Sequence, residues 1–437
     1  MKNYRRVLIV GTVPYNKKST SRAFESYFSN WEREKLAQIF SNTKKPCKGH
    51  CATLYQITDK KMVQAWLHKV EDTGVVYHYE DLCDEWADTD LEVGNGVTAR
   101  MYQIGRMHTP LTHLIRGVLW RKRYWCRDQL NAWLDEFAPE CVFLSFSDDY
   151  FINEIALYVS SRYRIPIVSC ISDDYYFDRR FSLNPLYHLY KSTYRCLIRK
   201  VIKRTKGAVY ISNKIRDKYN GEFSLDGETV YLTSTVSRRP FTPINRENPV
   251  ITYFGNIRMG RNHSLCDIAN ALGEINPTYR LEVYSNEQDE FYTGPLLKNP
   301  FVCYGGSIPY DQVQKRMNES DITVVVEGFK DSDVNLSRYS LSTKAADALA
   351  SGSAVLTYGS MECGIVEYMK STNASAVCDD KKQLSGVIQN LLDDECLQKR
   401  YYDQAIVITN ENHTLQQSCR IVERLVEKAI ERGVRDA

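Results

Sequence analysis

The segment 254–265, which reads FGNIRMGRNHSL, contains residue types that suit the binding of a phosphate group. It follows an apolar stretch and combines Gly255 and Asn256 with the cations Arg258 and Arg261. Glycine lets the backbone approach a ligand closely, and a helix that begins after the loop offers free backbone amides to an anion. Guanidinium groups bind phosphate oxygens in pairs. The segment predicts a phosphate site, although glycine and arginine also follow strands in loops that bind nothing.

A second group of polar residues opens a predicted helix in the segment 341–369, LSTKAADALASGSAVLTYGSMECGIVEYM. Ser342 and Thr343 are residue types that start helices, Lys344 falls in the first turn, and Asp347 lies one turn later. A cation at a helix amino terminus opposes the helix dipole, so a bound diphosphate would account for Lys344. Asp347 suits hydrogen bonds from a ribose diol. The alternative is a capped surface helix, and in the absence of ligand we expect Lys344 to be exposed.

Further candidates directly follow apolar stretches that we predict to be strands. Glu327 follows DITVVV, Asp173 and Asp174 follow IPIVSCIS, and Gly11 and Thr12 follow VLIV. Ligands of open parallel sheets bind at the carboxyl ends of the strands, so these positions are candidate site residues. The alternative for the adjacent aspartates is that they cap the next turn.

The order of predicted strands and helices indicates an α/β fold with two Rossmann-like domains that face a central cleft. In the amino-terminal half the predicted strands are RRVLIVG, CATLYQIT, ECVFLSFS, IPIVSCIS, GAVYIS and TVYLTS. After the proline-containing RRPFTPINRENP, a second series begins at VITYFGN. We predict an amino-terminal domain over 1–239, a carboxy-terminal domain over 240–400, and a terminal helical segment over 401–437 that returns to the first domain.

Composition limits the class of protein. The 437 residues, 43% hydrophobic and 25% charged, are typical of a globular chain with more than one domain. A net charge of +3 is too small to indicate nucleic-acid binding. Apolar stretches such as RVLIVG and ITVVVEGF are far shorter than the roughly 20 residues of a membrane span. Thirteen cysteines without regular spacing indicate free thiols, so we expect a cytoplasmic location.

Two segments mix cations with aromatic and aliphatic residues, HLIRGVLWRKRYWCRDQL over 113–130 and YRCLIRKVIKRTKG over 194–207. On helices these residues separate onto faces that suit peripheral contact with the anionic inner face of the plasma membrane. The alternative is that they form ordinary surface helices, whose lysine and arginine stems cover apolar neighbours.

Cys47, His50 and Cys51 form a C-x-x-H-C cluster. A structural zinc needs four ligands, and no obvious partner set follows in the sequence. We therefore predict no metal site.

The order of FGNIRMGRNHSL, DITVVVEGF, STKAADALASGSAVLTYG and GIVEYM resembles the carboxy-terminal domain of GT-B glycosyltransferases, especially the retaining family 4 enzymes of bacterial capsule and polysaccharide clusters. The resemblance covers residues 250–370. In that family a G-R-L-x-x-x-K-G loop brings an arginine and a lysine to the donor diphosphate. Arg261 stands at the lysine position and Asn256 at the arginine position, for which Arg258 would substitute.

The family's helix with a K-x-x-E-Y-L-A pattern matches Lys344 and Asp347. The resemblance implies that Lys344 reaches the phosphates and Asp347 holds the ribose. It also implies an acid eight positions before Asp347, where this chain has Tyr339. Glu327 lies in an E-G-F string like that of the family's first glutamate, but twenty positions before Asp347.

The resemblance implies a retaining glycosyltransferase of bacterial surface polysaccharide biosynthesis that needs no metal. It would move a sugar from a nucleotide-diphosphate sugar to a saccharide or lipid-linked saccharide acceptor. The expected catalytic residues are Glu327, Arg261 and Lys344. The expected donor-binding residues are Gly255, Asn256, Arg258, Arg261, Ser342, Thr343, Lys344 and Asp347, and the acceptor-side residues are Gly11, Thr12, Asp173 and Asp174. Two alternatives remain: a catalytically silent GT-B module, which Tyr339 favours, and a sugar-nucleotide 2-epimerase.

Overall fold

The computed structural model describes residues 4–15, 23–43, 45–84, 109–177, 182–341 and 343–435. The first of its two sheets is formed by β1 (Val7–Val10), β2 (Leu36–Phe40), β3 (Thr53–Ile57), β4 (Gly74–His78), β5 (Cys141–Ser145), β6 (Ile167–Ile171), β7 (Thr205–Tyr210) and β8 (Gly227–Thr229). Their order across the sheet is β4-β3-β2-β1-β5-β6-β7-β8, and neighbouring strands run parallel except for the antiparallel pair β3 and β4.

The second sheet is formed by β9 (Ile251–Phe254), β10 (Leu281–Tyr284), β11 (Val302–Gly306), β12 (Ile322–Val326), β13 (Ala354–Tyr358) and β14 (Ala376–Cys378). Its order is β11-β10-β9-β12-β13-β14, with parallel neighbours throughout. The strands at the centre of both sheets are buried and almost entirely apolar, as β1 (VLIV) and β12 (ITVVV) show. Such runs are typical of parallel strands that helices cover on both faces.

The helices of the first half are α1 (Ala23–Phe28), α2 (Asp59–Trp66), α3 (Pro110–Leu119), α4 (Lys122–Trp125), α5 (Asp128–Phe137), α6 (Tyr150–Tyr163), α7 (Pro185–Arg204) and α8 (Asn213–Phe223). Those of the second half are α9 (Arg261–Ile275), α10 (Glu290–Leu297), α11 (Tyr310–Glu319), α12 (Asp331–Ser337), α13 (Thr343–Ser351), α14 (Gly364–Thr372), α15 (Leu384–Asp393), α16 (Glu395–Asn412) and α17 (Leu415–Arg435). The predicted α/β fold with two Rossmann-like domains is confirmed.

The last helix packs on the first sheet. α17 contacts β7 and α1, and Gly207 in β7 lies close enough that an added Cβ would be 3.4 Å from the backbone oxygen of Leu425. The thiol of Cys419 donates a hydrogen bond to the backbone oxygen of Ser26 at 3.5 Å. The predicted return of the carboxy-terminal helix to the first domain is therefore confirmed. The predicted domain limit after residue 400 falls inside α16.

One predicted strand, TVYLTS, is wrong. β8 ends at Thr229, and residues 230–235 form no strand. The backbone N–H of Val230 still donates to the backbone oxygen of Tyr210 in β7 at 2.8 Å. Beyond it, the backbone N–H of Thr233 donates to Oγ of Ser26 at 3.4 Å, and Oγ of Ser234 donates to Asp347 at 2.6 Å. The apolar alternation of this segment therefore reflects burial in a connection between the domains.

Candidate functional site

Loops that follow three strands of the second sheet meet at one edge. Gly255 follows β9, Glu327 follows β12 and Gly359 follows β13, and these strands are parallel neighbours. Gly359 leaves room for the acid, because an added Cβ would lie only 2.9 Å from Cβ of Glu327. The carboxyl ends of the strands thus place Glu327 against the start of α9.

Arg261, the first residue of α9, forms a buried ion pair with Glu327. Nε and Nη2 of Arg261 donate hydrogen bonds to Oε2 and Oε1 of Glu327 at 3.0 and 2.8 Å. The two residues are only 7% and 2% exposed, so water screens the pair poorly. Burial alone would lower the pKa of Arg261, but the Glu327 carboxylate outweighs burial and the pKa is raised. Glu327 therefore keeps Arg261 charged and fixes the plane of its guanidinium.

Lys344 extends from the first turn of α13 across the backbone of Gly255. Its Nζ donates a hydrogen bond to the hydroxyl of Tyr253 at 2.9 Å, and that hydroxyl donates to the backbone oxygen of Asn256 at 2.5 Å. An added Cβ on Gly255 would lie 2.4 Å from Nζ, and the φ of +127° also favours glycine. The prediction that Lys344 is exposed is wrong, because its packing on this glycine turn leaves the residue half-buried.

The charge of Lys344 is poised near neutral pH. Burial, and after it the positive charge of Arg261, lower the pKa of Lys344 to about 7, while Glu327 acts in the opposite direction. Since both cations lie beside one carboxylate, an additional anion in this cluster would be attracted and would restore the charge of Lys344.

Asp347 lies one turn further along α13, and two hydroxyl groups already hold its carboxylate. Oγ of Ser234 donates to Oδ1 at 2.6 Å, and the hydroxyl of Tyr310 donates to Oδ2 at 3.5 Å. The residue is 6% exposed. A ribose diol at Asp347, as predicted, would have to displace these hydroxyls or share the carboxylate with them.

Arg258 and Asn256 form the exposed side of the loop after β9. The backbone N–H of Arg258 donates to Oδ1 of Asn256 at 2.7 Å, which tightens the turn. The guanidinium of Arg258 forms an ion pair with Glu287, which follows β10, with Nη2 3.0 Å from Oε1. β10 and β12 flank β9 on opposite sides, so Arg258 is directed away from the cluster of Arg261 and Lys344.

Ser342 lies outside the described residues, and Thr343 is the first residue of α13. Tyr339, at the position where the resemblance implies an acid, belongs to a contact between the domains. Its backbone oxygen accepts a hydrogen bond from Oγ of Ser212 at 2.6 Å, and Ser212 lies just after β7 of the first sheet. Nζ of Lys214 similarly donates to the backbone oxygen of Glu362 at 2.8 Å. The carboxyl ends of the two sheets therefore face each other.

On the first sheet, Gly11 and Thr12 shape the backbone at the end of β1. Gly11 has a φ of +91°, and an added Cβ would lie 2.7 Å from Ile152 and 2.8 Å from the backbone oxygen of Ser145. The backbone oxygen of Thr12 accepts a hydrogen bond from Nε2 of Gln38 at 2.7 Å. Only glycine fits position 11, which lets the loop after β1 lie close to β5.

The adjacent aspartates after β6 have different surroundings. Oδ1 of Asp174 accepts hydrogen bonds from the backbone N–H groups of Tyr176 and Phe177 at 3.1 and 2.9 Å, and from the Tyr219 hydroxyl at 2.9 Å. Asp174 thus caps the following turn, as the alternative reading of the sequence has it. The pKa of Asp173 is raised by desolvation, then by the negative charges of Asp148 and Asp174.

The sequence interpretation missed a charged cluster beside Asp173. Nε2 of the buried His113, in α3, lies 3.4 Å from Oδ2 of Asp148, and Nδ1 lies 3.8 Å from Oδ1 of Asp149. Arg116 forms an ion pair with Asp149, whose pKa is nevertheless raised because burial outweighs that attraction. Asp148 and Asp149 directly follow the predicted strand ECVFLSFS. The expectation that ligands bind at the carboxyl ends of parallel strands therefore applies to them too. Their contact with His113 forms only in the folded chain, and no sequence pattern predicts it.

Among the described residues no three His, Cys, Asp or Glu side chains are arranged to hold a metal ion. Cys47 and Cys51 are buried, and the ring of His50 stacks on Phe24 with centroids 5.4 Å apart. None of the helices described above is both long and apolar enough to cross a membrane.

Comparison with known proteins was made through sequence and through structure. No protein-family model and no curated protein sequence matches the chain. The E. coli trehalose-6-phosphate protein bound with UDP-2-fluoro glucose aligns with a TM-score of 0.59 and 9% identity, over 97% of this chain and 98% of that chain. Anabaena HepE in complex with UDP aligns with a TM-score of 0.56 and 10% identity, over 97% and 99% of the two chains. The chain has the GT-B fold.

A third GT-B structure leads to the same conclusion. WaaG, a glycosyltransferase involved in lipopolysaccharide biosynthesis, aligns with a TM-score of 0.51 and 11% identity, over 97% of this chain and 98% of that chain. The match covers 97% of this chain and therefore includes both of its domains. At such identities the likeness establishes the fold, and membership of family 4 stays a prediction.

Proposed function

We propose that the chain is a glycosyltransferase that moves a sugar from a nucleotide-diphosphate sugar to a saccharide or lipid-linked saccharide acceptor. The observation that carries the proposal is the cluster of Arg261, Glu327 and Lys344 at the strand ends of the second sheet. It combines one cation fixed by a carboxylate with a second cation whose charge an arriving anion restores. GT-B neighbours in complex with UDP and with UDP-glucose support a nucleotide-sugar donor.

The cluster suits the main electrostatic task of sugar transfer. When the bond from the anomeric carbon to the donor diphosphate breaks, the sugar becomes oxocarbenium-like and negative charge grows on the departing phosphate oxygen. Lys344 and Arg261 would stabilise that charge, together with the amino terminus of α13, as preorganised groups that need no metal. Glu327 acts as the positioning partner of Arg261. Asp347, one turn along α13, is the candidate for the ribose.

The acceptor would approach from the first sheet, where Asp148, Asp149 and Asp173 lie at the strand ends. Carboxylates accept hydrogen bonds from sugar hydroxyls. A raised pKa, as at Asp173, also suits a group that receives the proton of the attacking hydroxyl. Retention of configuration and a role in bacterial surface polysaccharide biosynthesis are parts of the proposal that come from the resemblance, and product linkage tests the first.

We place the reaction in the cytoplasm as part of the same proposal. All thirteen cysteines are free thiols, among them the exposed Cys83, Cys196, Cys303 and Cys396. Free exposed thiols fit a reducing compartment such as the cytoplasm.

A catalytically silent GT-B module is the second candidate, and two observations favour it. Tyr339 stands in place of an acid and contacts Ser212 of the first domain. The carboxylate of Asp347 is occupied by Ser234 and Tyr310. A protein that has lost donor binding would be expected to close its ribose position in this way. The 2-epimerase alternative has no comparable support among the described residues.

A donor screen separates the candidates. Purified protein is incubated with UDP-, GDP- and dTDP-sugars, and the unfolding temperature and nucleotide release are measured with and without lipid-linked oligosaccharides. A donor at 100 times its Kd stabilises the fold by about 2.7 kcal/mol. We expect donors of one nucleotide class to raise the unfolding temperature. Lys344→Met should lose this stabilisation, and the exposed-lysine control Lys298→Met should keep it. No stabilisation by any donor would leave the silent module as the better description.

A further inference from the structure

Two helices of the first domain carry an unusual group of exposed apolar side chains. On α3, Leu111, Ile115 and Val118 follow each other at helical spacing and are 51%, 56% and 49% exposed. At the start of α7, the exposed apolar residues are Leu183, Leu186 and Leu189. α3 packs beside α7, with the ring of His113 stacked on that of Tyr190 at 4.7 Å. We refer to these six exposed residues, on two neighbouring helices and just before one of them, as the apolar ridge.

The same two helices continue into a strongly basic surface. The α3–α4 segment 110–125 and α7 contain ten lysines and arginines and no acid. Three of these cations, Arg116, Lys191 and Arg195, are buried or half-buried, and Nζ of Lys191 donates to the backbone oxygen of Tyr175 at 2.8 Å. Arg121, Lys122, Lys203 and Arg204 form no ion pair with a described residue and are exposed.

These cations line two adjoining cavities. A groove of about 430 Å³ between α3, α6 and α7 is lined by Arg121, Lys122 and Lys200 together with Trp125 and Tyr158, and it contains one acid, Glu154. A second cavity of about 420 Å³ is lined by the cations Arg164, Lys203, Arg204 and Lys206 and by no acid. Both cavities include Ser161, so they form one basic trough that follows α7.

The ridge and the trough are ordered along the domain. α7 begins after β6, at the cleft end of the sheet, and ends where β7 begins, at the opposite end. Its apolar residues are therefore near the cleft, and Lys203 and Arg204 are far from it. α3 and α4 run the same way, since Arg116 contacts Asp149 at the cleft end and Lys122 lies over the ring of Tyr158, midway along α6.

We propose that this α3–α7 face docks the protein on an anionic lipid bilayer. The six apolar side chains of the ridge enter the interfacial region, and the cations of the trough bind lipid phosphate groups. A lipid surface fits both halves of the face at once, because it presents acyl chains below a layer of negative charge. A cation-lined groove alone would suit a free phosphate, but a free phosphate would not account for the neighbouring exposed apolar side chains. Docking would bring the cleft mouth to the bilayer, a consequence for lipid-linked acceptors that rests on the proposed function.

The test is flotation with vesicles in the absence of any nucleotide, so that it does not depend on glycosyl transfer. Vesicles of phosphatidylcholine are compared with vesicles that also contain phosphatidylglycerol, at low and high ionic strength and with inorganic phosphate as competitor. We expect binding only to the anionic vesicles, weakened by salt and unaffected by millimolar phosphate. Equal binding to both vesicle types, or none, overturns the proposal, and displacement by phosphate identifies a soluble anion as the ligand.

Variants separate the ridge from the trough. The triple variant Leu111→Ser, Ile115→Ser, Val118→Ser and the quadruple variant Arg121→Ser, Lys122→Ser, Lys203→Ser, Arg204→Ser change exposed side chains, so both should keep the wild-type unfolding temperature. At about fivefold per cation, the quadruple variant is expected to lose at least 100-fold in vesicle partitioning. The ridge variant should bind the anionic vesicles more weakly than the wild type at every ionic strength.

Matched controls on the second domain are Phe291→Ser with Leu297→Ser for exposed apolar side chains, and Lys298→Ser with Lys382→Ser for exposed cations. They should float as the wild type does. If the controls lose as much vesicle binding as the test variants, the binding is not specific to the α3–α7 face.

Light scattering tests whether the α3–α7 face instead binds a second copy of the chain. The lipid proposal is overturned if the wild type is a dimer, the ridge variant is a monomer, and neither binds vesicles. Donor-induced stabilisation, measured on the same variants, should be unchanged.

Discussion

The carboxyl ends of the two sheets have the same architecture and opposite charge. At the second sheet the cations Arg261 and Lys344 surround the single carboxylate of Glu327. At the first sheet, Asp148, Asp149 and Asp173 lie close together. Phosphates need cations and sugar hydroxyls need acceptors, so the difference supports the proposed placement of a diphosphate on one side of the cleft and a saccharide on the other. Substitutions that act on one side only can break or sharpen this assignment.

The largest effect is expected at the buried ion pair. Glu327→Gln leaves the charge of Arg261 buried with a weaker partner, and losing a buried counter-ion typically costs about 3–5 kcal/mol of unfolding free energy. Denaturant titration measures the loss. The double variant Arg261→Met, Glu327→Met removes both charges and should recover most of that stability while it abolishes donor binding. If Glu327→Gln unfolds at the wild-type denaturant concentration, the pair does not hold Arg261 as described.

Lys344→Met should weaken donor binding by about 100-fold or more, in line with the loss of one preorganised charge of about 3 kcal/mol. The free energy of unfolding should not fall, because a pKa of about 7 shows that the folded protein bears a cost for charging this lysine. Calorimetric titration with the nucleoside diphosphate measures the first quantity, and denaturant titration the second. Lys298→Met is the control. Equal donor affinity in Lys344→Met and wild type would remove the lysine from the donor side.

On the opposite side, Asp148→Asn and Asp173→Asn should lower kcat/KM for the acceptor by about 10- to 100-fold, the range expected for one charged hydrogen bond. Donor affinity should stay at the wild-type value. The exposed Asp128→Asn serves as the control. Loss of donor affinity in these variants would mean that the diphosphate also reaches the first sheet, and the contrast between the sides would then fail.

The pH dependence of donor affinity follows from Lys344. Its folded pKa of about 7 lies below the unfolded value, so from pH 7 upward the folded protein holds fewer protons than the unfolded chain and gains stability as pH rises. Binding of an anion reverses this deficit and takes up a proton. Donor affinity should therefore fall by about tenfold per pH unit above 7. Titrations at several pH values in buffers of different ionisation enthalpy measure affinity and proton uptake, and Lys344→Met should show neither trend.

The smallest effect separates the two hydroxyls at Asp347. Ser234→Ala removes a hydrogen bond of 2.6 Å to a carboxylate and should lower the unfolding free energy by about 1.5 kcal/mol. Tyr310→Phe removes a contact of 3.5 Å and should cost only a few tenths of a kcal/mol, about the effect of a weak surface contact. If nucleoside binding requires these hydroxyls to leave Asp347, Ser234→Ala should also bind the donor more tightly. Weaker donor binding would instead make Ser234 part of the ribose site.

Much of the fold follows from local pattern. Mostly apolar strands such as VLIV and ITVVV, glycine after the strand, and polar helix starts predicted two sheets and the positions of Gly11, Gly255 and Glu327. The strands β2, β4, β11 and β14 were not predicted. The sequence did not reveal which side chains meet. The pairing of Arg261 with Glu327 spans 66 positions and that of Ser234 with Asp347 spans 113, and such distances carry no periodic signal.

Lys344 shows the same limit from another direction. Its position in a helix start was correctly predicted, but its half-buried state depends on Gly255, 89 residues earlier, whose missing side chain makes the space. The prediction of a strand at TVYLTS was wrong for a related reason. An alternation of apolar residues predicts that one side of the segment is buried, but it does not distinguish a strand from a buried connection between domains.

The return of the last helix to the first sheet means that the chain passes between the domains twice, once through residues 230–250 and once where α16 gives way to α17. The two passages touch: Nη2 of Arg238 donates to the backbone oxygen of Leu349 in α13 at 2.8 Å and to Oγ1 of Thr409 in α16 at 3.0 Å. The two connections between the domains therefore lie side by side along one edge of the molecule. We therefore expect any relative movement of the domains to be a rotation about this edge, where α13, the helix that carries Lys344, contacts Arg238.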